Sequence, residues 1–226
     1  NKGKLIESHQ DALDHKIFNI FNQNLEGKQT IIAEGVVKTK DNSGIMKGLS
    51  KTVHPNCFLR STPLTKACDT IKKLSNKAKS LLKKEIDFCH KLNLIAGNSI
   101  TYVSGSTSVY TSAENSISLG KGVCQDFAHI LISMARYNNF PARYVNGFLF
   151  EDANSSENST HAWVEIFIND IGWIGFDPSH KKCIDERYIR VSCGYDFLDA
   201  STIKGVKTNY SGNENLLVKV QISQSQ

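Results

Sequence analysis

The sequence predicts an α+β fold, with helices packed on an antiparallel sheet. Three observations carry this. Apolar residues recur at helical spacing at Ala67, Ile71, Leu74, Ala78 and Leu81, and again at Phe127, Ala128, Leu131, Met134 and Ala135. Runs rich in β-branched and aromatic residues follow from Ala142 onward, separated by turn signals. Helices come first and strands after, instead of the strict alternation that builds a doubly wound parallel sheet.

Each element has a local reason. The first sixty residues are β-rich, with "HKIFNIF" and "QTIIAEGVVKT" as strand-like runs and "DNSG" as a loop signal. After "FLRSTPLT" comes the helical zone, which Ser75 and Asn76 divide, its second part running to about Asn93. A polar loop follows from Gly97 to about Tyr110. Thr111 and Glu114 have capping-box spacing, and Gly120 suits the stop of that short helix. A further helix opens near Gly122 and ends at Asn138, Asn139 and Pro141. "ARYVNGFLF", "HAWVEIFI" and "WIGF" are strands, with "NDIG" turning the second into the third. Tyr188–Ser192 and Leu216–Ile222 are further strand-like runs. The loop Glu151–Thr160 leads into the second of these strands and is expected to be mobile and to border a substrate cleft.

Composition narrows the function classes. The 226 residues are 40% hydrophobic and 22% charged, ordinary for a soluble globular protein. The net charge of +5 gathers in "IKKLSNKAKSLLKKE", the wet face of a helix without interleaved aromatics, which argues against nucleic-acid binding. No run is long enough to span a bilayer, so no membrane partner is expected. The chain starts at Asn1, which leaves open a preceding segment or a removed signal. Six dispersed cysteines without framework spacing favour reduced thiols and a cytoplasmic location.

Three residues stand out chemically. Cys124 occupies the first turn of a helix, where unpaired N–H groups and aligned peptide dipoles favour a thiolate. Gly122 lets a substrate backbone approach, and the same N–H groups can donate to an oxyanion. Position alone fits a small packed residue at least as well. A base and an orienting group alter the balance. His129 is five residues further along the helix, ~140° around it, and faces away. His161 starts a strand after an exposed loop and is a candidate base. Asp177 ends the returning strand of the same hairpin, where a carboxylate can hold the His161 ring. Zinc is the rival chemistry: His180, Cys183 and Cys193 share one segment and could join Cys124 or His161. No Cys-x-x-Cys or His-Glu-x-x-His spacing occurs, so neither metal nor cofactor is expected. Cys57, Cys68 and Cys89 have the contexts of packing residues.

"GVCQDFAHILISMARYNNFPARYVNGFLF", "HAWVEIF" and "GWIGFDPSH", in that order, resemble the transglutaminase-like superfamily, in particular its bacterial cysteine-protease branch. The resemblance runs from about Phe58 to the C-terminus. It implies a papain-like core over residues 58–226 after a β-rich segment, 1–57, that resembles the tail of a longer N-terminal region. It also implies a Cys124–His161–Asp177 triad: nucleophile, proton shuttle and orienting carboxylate. Animal transglutaminases carry a tryptophan ahead of the nucleophile as an oxyanion donor. This chain has only Trp163 and Trp173, both later, which ranks hydrolysis above cross-linking. The Cys124 N–H is the expected first donor, with Tyr102, Tyr110 and Gln125 as candidates for the second. The expected activity is hydrolysis of peptide or isopeptide amides. Glutamine transamidation to a primary-amine acceptor, deamidation, and a non-catalytic binding domain are the alternatives. Oligomeric state is not encoded in any motif.

Overall fold

Of the β-branched runs near the start of the chain, one becomes a strand. The computed structural model describes residues 4–22, 27–49, 51–78, 84–150, 160–208 and 216–223. It divides into two units, residues 1–38 with 48–54, and residues 39–47 with 55–226. The smaller unit holds a hairpin of β1 (Lys4–Gln10) and β2 (Lys16–Phe21), the "KIFNIF" run. Its turn is fixed by the Asp11 carboxylate, which accepts from the N–H groups of Leu13 (2.8 Å) and His15 (2.9 Å). The expected strand in "QTIIAEGVVKT" does not form. Ile32 and Val36 are 73% and 96% exposed, because β propensity without a partner strand has nothing to pack on.

In the larger unit a 3₁₀ turn (Pro55–Leu59) precedes α1 (Asp69–Asn76) and α2 (Glu85–Gly97). The expected break after Asn76 is present, and α2 runs beyond Asn93 to Gly97. Two short strands, β3 (Thr101–Tyr102) and β4 (Lys121–Gly122), pair in parallel on either side of α3 (Ala113–Leu119). The α3 cap falls one residue later than the Thr111–Glu114 spacing suggests. Ser112 is the N-cap, accepting from Asn115 N–H at 3.2 Å, while Gly120 closes the helix in the left-handed region at φ 66°.

The central helix, α4 (Cys124–Tyr137), is buried at every residue from Gln125 to Arg136. A helix buried on all sides needs cover on all of them. Helices α1, α2 and α3 supply part of it, and a five-stranded antiparallel sheet supplies the rest. The strands are β5 (Ala142–Leu149), β6 (Thr160–Ile168), β7 (Gly172–Asp177), β8 (Lys182–Cys183) and β9 (Tyr188–Gly194), ordered β8-β7-β6-β5-β9. Ala162, Val164, Ile166 and Ile168 of β6 join Ile130, Leu131 and Met134 of α4 in one core.

The alternate residues of β6 are covered too. Glu165 is fully buried between Arg143 Nε at 2.6 Å and Arg190 Nε at 2.8 Å, and Arg143 lies 4.1 Å from the Trp173 ring centroid. Burial alone would raise the Glu165 pKa, but the two arginines hold it below the ordinary value, so this buried charge is paired. At the far end of α4, the buried Arg136 donates to the carbonyls of Phe58, Ala142 and Tyr195 and to Thr65 Oγ1, all at 2.8–3.2 Å. It thereby anchors the 3₁₀ turn, β5 and the segment after β9 to the helix.

Three further readings change. A short helix, α5 (Phe197–Ala200), follows β9 with Asp196 as its cap, and no apolar period announces it. Leu216–Ile222 is not a strand among the described residues; Leu216 and Leu217 are largely exposed and have no face to bury. Cys89 is buried as expected, whereas Cys57 is exposed.

Candidate active site

The three residues singled out in the sequence come together in the larger unit, His161 lying in contact with both Asp177 and Cys124. Cys124 is the first residue of α4, half-buried, after the extended Val123. The junction is held by Asp126, whose Oδ2 accepts from Val123 N–H (2.8 Å) and from Thr107 Oγ1 (2.6 Å). Gly122 is required here. A Cβ at that position would meet the Asp126 carboxyl at 2.7 Å. The first N–H groups of any α-helix lack intrahelical acceptors, and Cys124 stands at that end of α4.

His161 and Asp177 meet through sheet register. In the β6–β7 ladder Val164 pairs with Phe176, so one further step puts Asp177 across from Trp163 and diagonal to His161 on the same face. The resulting contact is a 2.7 Å hydrogen bond from His161 Nε2 to Asp177 Oδ2. With Nε2 committed, Nδ1 is the ring nitrogen that can serve Cys124. Gly147 stands opposite His161 on β5. A Cβ there would strike the Ile189 carbonyl oxygen at 2.1 Å and the Trp163 ring at 2.6 Å. That vacancy lets Trp163 lie under the site, stacked near His161 with centroids 6.4 Å apart.

The Asp177 carboxylate is completely buried. Its Oδ1 accepts from Ser179 N–H (2.9 Å), Ser179 Oγ (2.6 Å) and His180 N–H (3.1 Å). Its Oδ2 accepts from His161, His180 Nδ1 (2.8 Å) and Tyr188 Oη (2.8 Å). Burial would raise the Asp177 pKa, but the hydrogen bonds from His161, His180 and Ser179 hold it far below the ordinary carboxylate value. Burial would likewise lower His161. Hydrogen bonding to Asp177 and the interaction with Cys124 outweigh it and raise the imidazole to about 9.

His180 and Tyr188 were not singled out as partners of Asp177. The Asp-Pro-Ser-His run carries a local signal for His180, since Asp commonly binds the N–H groups two and three residues on. Tyr188 has no such signal, because it comes from the non-adjacent strand β9. Among the described residues, His161, Asp177 and His180 are a group of donor atoms that could hold a metal ion, within 4.8 Å of one another. Their hydrogen bonds to Asp177 Oδ2 account for those short contacts. The proposed zinc partners separate: Cys183 lies on β8 and Cys193 on β9, at opposite edges of the sheet.

The remaining candidates are placed as follows. Gln125 donates from Nε2 to the Ser108 carbonyl at 3.3 Å, which pins the preceding loop against α4. Tyr110 is 72% exposed, and Tyr102 stacks on Phe127 with centroids 6.4 Å apart. His129 is fully buried and accepts from Phe197 N–H through Nε2 (3.2 Å), so it belongs to the core. Of the loop Glu151–Thr160, only Thr160, the first residue of β6, lies within the described residues.

The two histidines set opposite pH slopes. Burial lowers His129 to about 4, with Asp196 opposing. A depressed histidine stabilises the fold above its unfolded value of about 6.5, and that stability is lost as pH falls toward 4. His161, raised to about 9, contributes stability below about 6.5 that is lost as pH rises through 9. Each contribution is about 3 kcal/mol. Urea unfolding followed across pH is therefore expected to give maximal stability near pH 6.5, with His129→Gln flattening the acid side. A stability that rises steadily from pH 5 to 9 would contradict it.

Comparison with known proteins agrees with this architecture. Residues 72–178 match the model of the transglutaminase-like superfamily. An uncharacterized protein of Mycobacterium tuberculosis is 33% identical over 132 residues, covering 54% of this chain and 41% of that protein. One of Mycobacterium leprae is 36% identical over 122 residues, covering 52% and 42%. The chain thus spans about two-fifths of the length of these curated relatives. A crystal structure described as a "Putative Cysteine Protease" from Cytophaga hutchinsonii superposes with a TM-score of 0.56 at 27% identity, covering 72% of this chain and 55% of that one. Among the described residues no helix is long and apolar enough to cross a membrane. With its helix-borne cysteine and its histidine–aspartate hairpin, the chain is similar, over residues 72–178, to the transglutaminase-like superfamily.

Proposed function

We propose that the chain is a cysteine-nucleophile hydrolase of peptide or isopeptide amides, with Cys124, His161 and Asp177 as its triad. The observation that carries this reading is the 2.7 Å His161–Asp177 bond, formed in a buried setting beside a thiol at a helix N-terminus. The Cys124 thiolate attacks the amide carbonyl carbon, and the carbonyl electron pair moves to oxygen, facing the Cys124 N–H. His161, as imidazolium, gives its proton to the departing nitrogen as the C–N bond breaks, leaving a thioester. Water then attacks the thioester carbon while neutral His161 takes its proton. The C–S bond breaks, the acid leaves, and the thiolate–imidazolium pair is restored. Asp177 keeps the ring oriented throughout. A reduced nucleophile suits a reducing compartment, so we place the protein in the cytoplasm.

Incubation with peptide mixtures followed by mass spectrometry is expected to find an acyl adduct on Cys124 that water discharges. A labelled primary amine added to a glutamine peptide should be incorporated less than the peptide is hydrolysed. Incorporation exceeding hydrolysis would make the protein a transamidase, and no adduct with any peptide would leave a binding domain.

A further inference from the structure

Asp177 is bonded beyond what orienting a histidine requires. A carboxylate offers about four lone-pair directions. Ser179 and the His180 N–H already supply Oδ1 with three donors, enough to keep the group ionised. Oδ2 nevertheless takes two side chains besides His161: His180 from the turn after β7, and Tyr188 from the start of β9. Both also touch the base itself. The His180 ring stands edge-on to His161 at 5.3 Å, the Tyr188 ring lies 5.8 Å away, and Trp163 packs against Tyr188 at 5.4 Å. Rotation of the carboxylate would break the bonds from His180 and Tyr188 together, so its plane, and with it the direction offered to His161 Nε2, is fixed.

We propose that His180 and Tyr188 are positioning residues for acyl transfer, clamping Asp177 so that His161 is held at the angle Cys124 needs. The proposal rests on the triad reading above. Both act through Asp177 and the His161 ring. Among the described residues, the charged and titratable groups facing the base are Cys124 from α4, Asp177 from β7, His180 from the turn and Tyr188 from β9. Lys182 of β8 sits 5.2 Å over the Tyr188 ring.

The test is the rate of Cys124 alkylation by iodoacetamide across pH, in the wild type and in H161A, H180A, H180N and Y188F. A thiolate paired with imidazolium reacts at low pH, whereas a free thiol needs pH near 8.5. H161A should abolish the low-pH reaction. Without the clamp the thiolate loses its partner, so H180A and Y188F should slow alkylation at pH 6 about tenfold, moving the acid limb up by about one unit. Asparagine places Nδ2 where histidine has Nδ1, so H180N should restore the rate to within about twofold of wild type. A purely structural role would lower the melting temperature of H180A without moving the acid limb.

The proposal is overturned if H180A and Y188F keep the wild-type profile, or if H180N is as slow as H180A while equally folded. Should Y188F fail to fold, the H180A and H180N pair decides. A wild type that is slow at pH 6 and indifferent to H161A would remove the triad reading and this proposal together, a pattern distinct from failure of the clamp alone.

Discussion

Replacement of Cys124 by serine is expected to lower kcat/KM for peptide hydrolysis by about 10⁴-fold or more, with little change in melting temperature. The two effects separate because of where the residue sits. Cys124 is half-buried at the first position of α4, outside the run Gln125–Arg136 that is buried throughout, so one sulfur-to-oxygen change removes little packing. Chemically the change is severe. A hydroxyl is far less acidic than a thiol, so attack must wait for deprotonation within the transition state. Peptide turnover and calorimetry on the same preparation check both halves. Activity within tenfold of wild type would show that Cys124 is not the nucleophile. A collapse in melting temperature would show that it is a core residue after all.

Asp177→Ala is expected to cost about 10³-fold in kcat, and unlike the Cys124 change it should also destabilise the protein. Alanine leaves the buried Tyr188 Oη without its acceptor, whereas the exposed His180 and the partly exposed Ser179 can turn to water. Each orphaned buried group costs about 1–3 kcal/mol where water cannot replace the partner. It also frees His161 to rotate and lowers its proton affinity, since the hydrogen bond and charge of Asp177 raise that pKa. Asp177→Asn should fall between the two proteins, because its carbonyl still accepts from Nε2–H while the negative charge is gone. The order wild type, Asn, Ala in both kcat and stability is the expected result. An alanine variant as active as wild type would remove Asp177 from the mechanism.

The path from sequence to site was open where the signals were local. Cys124 stands two residues after Gly122 at a helix start, His161 and Asp177 bound one hairpin, and the period of 2 along β6 puts His161 and Trp163 on one face. Each rests on a few consecutive residues, and the hairpin closes the remaining distance. The missed parts depend on pairing between distant segments. Tyr188 reaches Asp177 because β9 joins the sheet beside β5, an order that no run of residues declares. "QTIIAEGVVKT" and Leu216–Ile222 carry strand propensity, yet strand formation needs a neighbour. The shift of the α3 cap from Thr111 to Ser112 has the same origin on a smaller scale, since both are good caps and the chain's path chooses between them.

The burial of α4 has a consequence in time as well as in space. Backbone amides in a helix enclosed on all sides exchange with solvent only when the whole domain opens, whereas an exposed turn can open by itself. Cys124 is therefore expected to sit at the start of the most slowly exchanging segment. The turn after Asp177 carries the exposed His180 and Lys181 in the left-handed region at φ 58°, so its amides exchange sooner. Thermal fluctuation is therefore expected to fall on the turn that follows Asp177, and deuterium uptake at the amides of residues 179–181 measures how often that turn opens.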